Sequence, residues 1–321
     1  MNVKKKRTAI AVCIITGTCI LAGSAFANYS TANGYDVYKK ALKNMIGMDN
    51  YTMDVSMSIS ADDTEVASAS MREQYAKDET VSLNRKEKNN DFQGSVREDN
   101  IIVNGDNLYM MYCNSSRGEK DKENGKWFAQ KNYGWDGMLN IEDDSERDTV
   151  AKVVRFGELL TDAVVGDLKN NFVYVSGTEN GGAKYSVSLD AIQIPELINA
   201  GISALCSLNA AEGGNSEYVR DLSYTDADWY LYNESSLKSV QCDFEVDGEG
   251  RLVNNDITVV MLSTGANNES HTLTVKAGLN MSDWGTTVPE GLPEGTKVEQ
   301  RRDLYDGYDA DETNVSEEAE D

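Results

Sequence analysis

Catalysis needs side chains that move protons, hold metals or form covalent intermediates, and this chain of 321 residues offers few in usable patterns. There is one histidine, His271, preceded by Asn268, Glu269 and Ser270 at the start of a predicted strand. One imidazole excludes a two-histidine metal site and a His-x-x-x-His helix. A Ser-His-Asp arrangement needs only one, but no Gly-x-Ser-x-Gly turn is present, so His271 reads as a solvated strand-edge residue. Carboxylates cluster at Glu142-Asp143-Asp144, at Asp226 and Asp228, and at Asp243, Glu245 and Asp247. The last three alternate with core-facing positions and line a solvated strand face, and no stretch fits the calcium loop with its closing glutamate. Carboxylate pairs for glycoside hydrolysis are set by the fold rather than by spacing, which keeps a secreted carboxylate- or metal-dependent hydrolase as the lesser alternative. Trp127, Trp135, Trp229 and Trp284 form no sugar platform, and Gly181-Gly182 and Gly213-Gly214 match no phosphate-binding fingerprint. The expectation is a protein without catalytic residues, metal or cofactor.

Charge narrows the partners. With 54 acidic against 30 basic residues the chain carries −24, which repels nucleic acid and anionic headgroups. Such a surface suits solubility outside the cell, or docking to a basic partner such as an envelope protein.

The address is written at the start. Lys4, Lys5, Lys6 and Arg7 precede an apolar run from Thr8 to Gly23 and then Ser24-Ala25-Phe26-Ala27, the three parts of a secretory signal cleaved after a small residue. Thr8 to Ala27 is also long enough to span a bilayer as an uncleaved anchor, so residues 1–27 are read as signal peptide or N-terminal membrane anchor. In both cases the remainder is extracytoplasmic, secreted or held at the outer face of the membrane. Of five cysteines two lie in that segment; Cys113, Cys206 and Cys242 are an odd count without Cys-x-x-Cys spacing, and read as buried thiols rather than a disulfide scaffold.

The elements that would position a site follow from periodicity. Val37, Tyr38, Ala41, Leu42, Met45 and Ile46 form one helical stripe, with Asn33 placed to cap it and Gly47 to end it. From Tyr51 to Ile59 the period becomes two. Weaker alternation runs through 70–76, 80–86 and 92–97, and Asn104-Gly105-Asp106-Asn107 marks a hairpin between Ile101-Ile102-Val103 and Leu108–Tyr112. A strand is predicted over 126–131, helices over about 147–169 and 190–208, and strands over 172–176 and 184–189. Residues 239–246, 256–262 and 272–281 form a closing meander, and an acidic tail follows from Asp303 to the end. This is one α+β domain over 28–302: a curved antiparallel sheet whose apolar inner face needs helices to cover it.

The opening Asn33-Gly34-Tyr35-Asp36-Val37-Tyr38-Lys39-Lys40-Ala41-Leu42, leading into Tyr51-Thr52-Met53-Asp54-Val55, resembles the LolA/LppX-like lipoprotein-carrier superfamily, in the form found in exported proteins of Gram-positive bacteria. So do Met281-Ser282-Asp283-Trp284-Gly285-Thr286-Thr287-Val288-Pro289 and Gly291-Leu292-Pro293. The resemblance implies an incomplete, strongly curved β-barrel with helices on its concave side, enclosing an apolar cavity for an acyl chain or other hydrophobic ligand. Methionine, abundant here, suits adaptable apolar sites. The candidate lining is Met53, Val55, Met57, Tyr109, Met111, Phe244, Val259 and Met261. The expected function is non-enzymatic extracytoplasmic binding of a lipid or hydrophobic small molecule; the alternative is an acidic docking protein without a ligand.

Overall fold

A computed structural model of the chain describes residues 33–45, 47–90, 95–115, 124–132, 135–139, 172–194, 235–264 and 269–300. Among them are one helix, α1 (Asn33–Met45), and twelve strands. The strands are β1 (Asn50–Ala61), β2 (Thr64–Ala76), β3 (Val81–Asn90), β4 (Val96–Asn104), β5 (Asn107–Asn114), β6 (Trp127–Lys131), β7 (Phe172–Gly177), β8 (Ala183–Asp190), β9 (Ser235–Val246), β10 (Leu252–Thr264), β11 (Ser270–Ser282) and β12 (Val298–Gln300).

They form one open sheet in the order β12-β6-β5-β4-β3-β2-β1-β11-β10-β9-β8-β7. Two antiparallel meanders, β1 to β6 and β7 to β11, are joined along β1 and β11, which pair from Thr52–Ser282 to Ala61–Leu273. Most neighbours within each meander are joined by short turns, the longest exception being the connection from Asp190 of β8 to Ser235 of β9. Asp62 and Asp63 link β1 to β2 with φ of 48° and 68°, left-handed conformations that aspartate tolerates and a two-residue hairpin requires. Gly105 and Asp106 link β4 to β5, with Asn104 opposite Asn107.

The α+β expectation, a curved sheet with helices covering its concave face, is corrected here. The described residues are almost all strand, and their single helix is 13 residues long. The stripe predicting that helix is borne out, with Tyr38, Ala41 and Met45 buried and Lys40, Lys43 and Asn44 exposed. Where a third helix is expected from Asp190, the chain instead finishes β8 and turns, with the Gln193 amide donating to the Asp190 carbonyl at 2.8 Å. The segments 140–171 and 195–208 lie outside the described residues, as do residues 1–32 and the acidic tail. Alternation with β-branched and aromatic residues runs through β1, β9, β10 and β11, and that pattern stabilises sheet.

After β11 the chain crosses the sheet. Asn50 binds both the amide and the carbonyl of Thr287, at 2.8 and 3.0 Å, and the Thr52 and Thr287 hydroxyls lie 2.9 Å apart. Asn84 Nδ2 donates to the Glu290 carbonyl at 2.6 Å, and the strap reaches the far edge as β12, parallel to β6. The motif Met281–Pro289 is therefore the end of β11 and the first half of this strap.

Candidate functional site

Direct partners in adjacent strands share a face of the sheet, so register assigns every candidate a side. Met53, Val55 and Met57 of β1 lie on one face with Met281, Leu279 and Ala277 of β11. Phe244, Val259 and Met261 belong to that face, since Asn255 opposes both Leu279 and Phe244, and Val259 opposes Val275, the partner of Ile59. Six of the eight candidates thus come together. Tyr109 and Met111 point the other way: Met111 continues the row Asp54-Arg72-Lys86-Asn100, and Tyr109 the row Thr52-Gln74-Asn84-Ile102. Their neighbour Met110 continues the row Met53-Glu73-Arg85-Ile101 on the apolar face.

The apolar face is not uniformly buried. Met53, Phe244 and Val259 are almost wholly enclosed and Met261 nearly so, as are Ile257, Leu273 and Met281. Between them Val55, Met57 and Ile59 of β1, Met71 of β2 and Val275 of β11 are only half-buried. This strip is three strands wide and five residues long, about 10 Å by about 13 Å at usual sheet spacings. Ile59 was legible in the same alternation as Met57; Met71 and Val275 needed the register.

Each end of the strip is held in place. At the β9–β10 side α1 lies on the face, with the Tyr38 ring 4.6 Å from Phe244, which stacks on Tyr185 at 5.0 Å. Tyr38 Oη donates to the buried Asn255 Oδ1 at 3.3 Å. At the β2–β3 side sits an ionic cluster no sequence pattern announced. The Glu73 carboxylate accepts from Tyr51 Oη at 2.5 Å, from Arg85 Nε at 2.6 Å and from the Met138 amide at 2.7 Å, and also pairs with the second guanidinium nitrogen. Glu73 is fully buried and Arg85 is 4% exposed. The Leu139 amide donates to Tyr51 Oη at 3.1 Å, and Arg85 lies 5.6 Å from the Trp135 ring, so the cluster ties residues 135–139 to the sheet. Burial, and then the Glu73 charge, push the Tyr51 phenol well above its ordinary value. Burial opposes the Arg85 charge, but the Glu73 carboxylate outweighs it and raises the guanidinium. None of its buried side-chain nitrogen and oxygen atoms lacks a hydrogen-bond partner, which suits a structural clamp.

The opposite face is polar and mixed in sign. Two shallow depressions of about 540 and 510 Å³ open on it. One is floored by Ser56, Ser70 and Gly278 and flanked by Lys88, Asp256 and Lys276; the other lies between Asp54, Arg72, Lys86 and Glu98. Arg72 pairs with Asp54 at 3.0 Å, Lys184 with Glu245 at 3.0 Å and Lys86 with Glu290 at 2.6 Å, so this face offers no field of one sign.

The remaining candidates fall into local roles. His271 is more enclosed than a solvated edge residue: its Nδ1 lies 2.7 Å from Asp62 Oδ2, and Asp62 Oδ1 accepts from the Thr272 amide at 2.9 Å, which fastens the β1–β2 turn to β11. The hydrogen bond from His271, followed by that from Thr272, lowers the Asp62 carboxyl below its usual range. Asp243 and Glu245 lie on the polar face as read, while Asp247 caps its turn by accepting from the Glu249 and Arg251 amides, each at 2.9 Å. Among the described residues no group of three His, Cys, Asp or Glu side chains could hold a metal. Cys242 is a buried thiol whose Sγ lies 3.4 Å from Asn255 Oδ1, and Cys113 is a half-buried one; neither is in a disulfide. Glu142–Asp144, Asp226, Asp228, Cys206 and Trp229 lie outside the described residues.

No family model matches the chain, and no curated relative was found. Among the solved structures that overlap it, two illustrate how weak the likeness is. The crystal structure of Rv2717c from M. tuberculosis shares 7% identity at a TM-score of 0.19, over 76% of this chain and 96% of that one. The LolA superfamily protein NE2245 from Nitrosomonas europaea shares 8% identity at a TM-score of 0.14, over 81% of this chain and 94% of that one. TM-scores this low establish no common fold, so the carrier resemblance continues to rest on the motifs that suggested it.

Proposed function

We propose that this protein is an extracytoplasmic, non-enzymatic binding module that holds a lipid or other hydrophobic ligand against the apolar face of its sheet. One observation carries the reading: Val55, Met57, Ile59, Met71 and Val275 stay half-buried in the middle of a face whose flanks are closed. Apolar area of that kind is a standing gain for any ligand that covers it, at about 25 cal/mol per Å². The two methionines let the strip adapt to chains of different shape. The basic, apolar and small-residue segments of residues 1–27 support export. Cleavage frees the module, and retention of the segment tethers it to the membrane through those residues.

The test is titration of a fluorescent fatty-acid analogue into the exported protein. Wild type and the Tyr109→Ala and Met111→Ala variants, altered on the polar face, bind alike; Met57→Asp loses binding at least tenfold while its far-ultraviolet circular dichroism is unchanged. Equal binding by wild type and Met57→Asp, or no binding by wild type, would sink the proposal.

A further inference from the structure

The two edges of the sheet are guarded to different degrees. Exposed strand edges offer unpaired backbone groups to other chains, and proteins blunt them with short strands, charge, proline or bulges. β12 is three residues long, carries Glu299 in an ion pair with Lys126 at 2.9 Å, and follows Lys297. β7 has six residues, Phe172-Val173-Tyr174-Val175-Ser176-Gly177, without charge or proline. Among the described residues it pairs only with β8, and Val173, Tyr174 and Val175 are 56%, 60% and 57% exposed. Its one guard is a bulge at Val175, where the register with β8 shifts between Tyr174 and Ser176 and the pairing is locally interrupted.

We propose that β7 is the contact by which two copies of this chain pair, edge to edge and antiparallel, about a two-fold axis at Tyr174. The local sequence Val-Tyr-Val reads the same in both directions. Antiparallel pairing centred on it sets Tyr174 against its own copy and Val173 against Val175 twice over, the self-complementarity a two-fold interface demands. Charge selects the same place: the chain carries −24, copies therefore repel, and this uncharged strand is a surface at which they meet without opposing charges. Backbone pairing makes the partner an extended strand. The apolar faces of both copies then lie on one side of a continuous sheet. A six-residue edge buries less than the roughly 1,200 Å² of standard interfaces, so the dimer is weak and concentration-dependent.

Sedimentation velocity on the exported chain, from about 1 µM to about 1 mM, reads the pairing across the span between tight and weak association. Wild type moves from monomer towards dimer with concentration. V173K/V175K places like charges opposite each other at two symmetric sites and raises the dissociation constant about tenfold or more, even though added lysines reduce the net repulsion. V173E/V175K places opposite charges at the same sites and stays within about threefold of wild type. Opposed residues lie about 4.5–5.5 Å apart between Cα atoms, within disulfide reach, so oxidised Y174C forms a covalent dimer while V173C does not. A wild type that stays monomeric, equal dissociation constants for the two double variants, or equal cross-linking of Y174C and V173C would overturn the proposal.

Discussion

Replacing Glu73 by glutamine leaves the Arg85 guanidinium, 4% exposed, without its counter-charge. The neutral side chain also cannot accept from Tyr51 Oη, Arg85 and the Met138 amide as the carboxylate does. Removing one member of a buried pair costs about 3–5 kcal/mol, mostly as the penalty of the charge left behind. With a urea dependence of about 3 kcal/mol per molar, the unfolding midpoint falls by about 1–1.7 M. Equilibrium urea unfolding followed by circular dichroism measures this, with tryptophan fluorescence as a second probe because Trp135 lies against Arg85. The loss comes from the orphaned charge, so E73Q/R85M recovers most of the stability lost by E73Q. A cost below about 1 kcal/mol for E73Q, within the range of exposed pairs, would refute the assignment; so would a double variant no more stable than E73Q.

Other consequences can be checked separately. Met53→Ala, at a fully buried position, costs about 2–5 kcal/mol in the same unfolding experiment, and Met57→Ala, on the half-buried strip, costs clearly less. Gly182→Ala destabilises by about 1–3 kcal/mol, because its Cβ would run into the Val246 carbonyl oxygen and lie 2.9 Å from Asp247 Cα, backbone atoms that cannot swing aside. The Asp62 carboxyl is lowered in the folded state, so its stabilisation is present above the unfolded value of about 3.9 and is lost as pH falls through the folded one. The difference in thermal midpoint between wild type and Asp62→Asn is therefore largest near neutrality and closes below pH about 4; a gap independent of pH would contradict the His271–Asp62 contact.

How much of this was legible in the sequence varied with the physics of each segment. Period-two alternation located β1 and the closing meander and assigned Met53, Val55, Met57, Phe244, Val259 and Met261 to one face. It failed where every residue is apolar or aromatic. Leu108-Tyr109-Met110-Met111-Tyr112 carries no alternation, and only the Gly105–Asp106 turn, which sets Leu108 opposite Val103, decides that Met110 faces the core and Met111 does not. Glu73 and Arg85 look like solvent-facing strand residues one at a time, and their pairing across β2 and β3 is a matter of register. β12 is too short for any periodicity, and it exists because the strap delivers Val298 to Trp127. The anticipated α+β balance gave too much weight to helical stripes against the sheet that the remaining alternation builds.

Native mass spectrometry of the chain expressed for export and purified without detergent bears most directly on the proposed ligand binding. An added mass that dissociates as one lipid-sized species and is absent from Met57→Asp is the expected result. A clean mass for the protein alone, unchanged after incubation with membrane lipid extract, would contradict it.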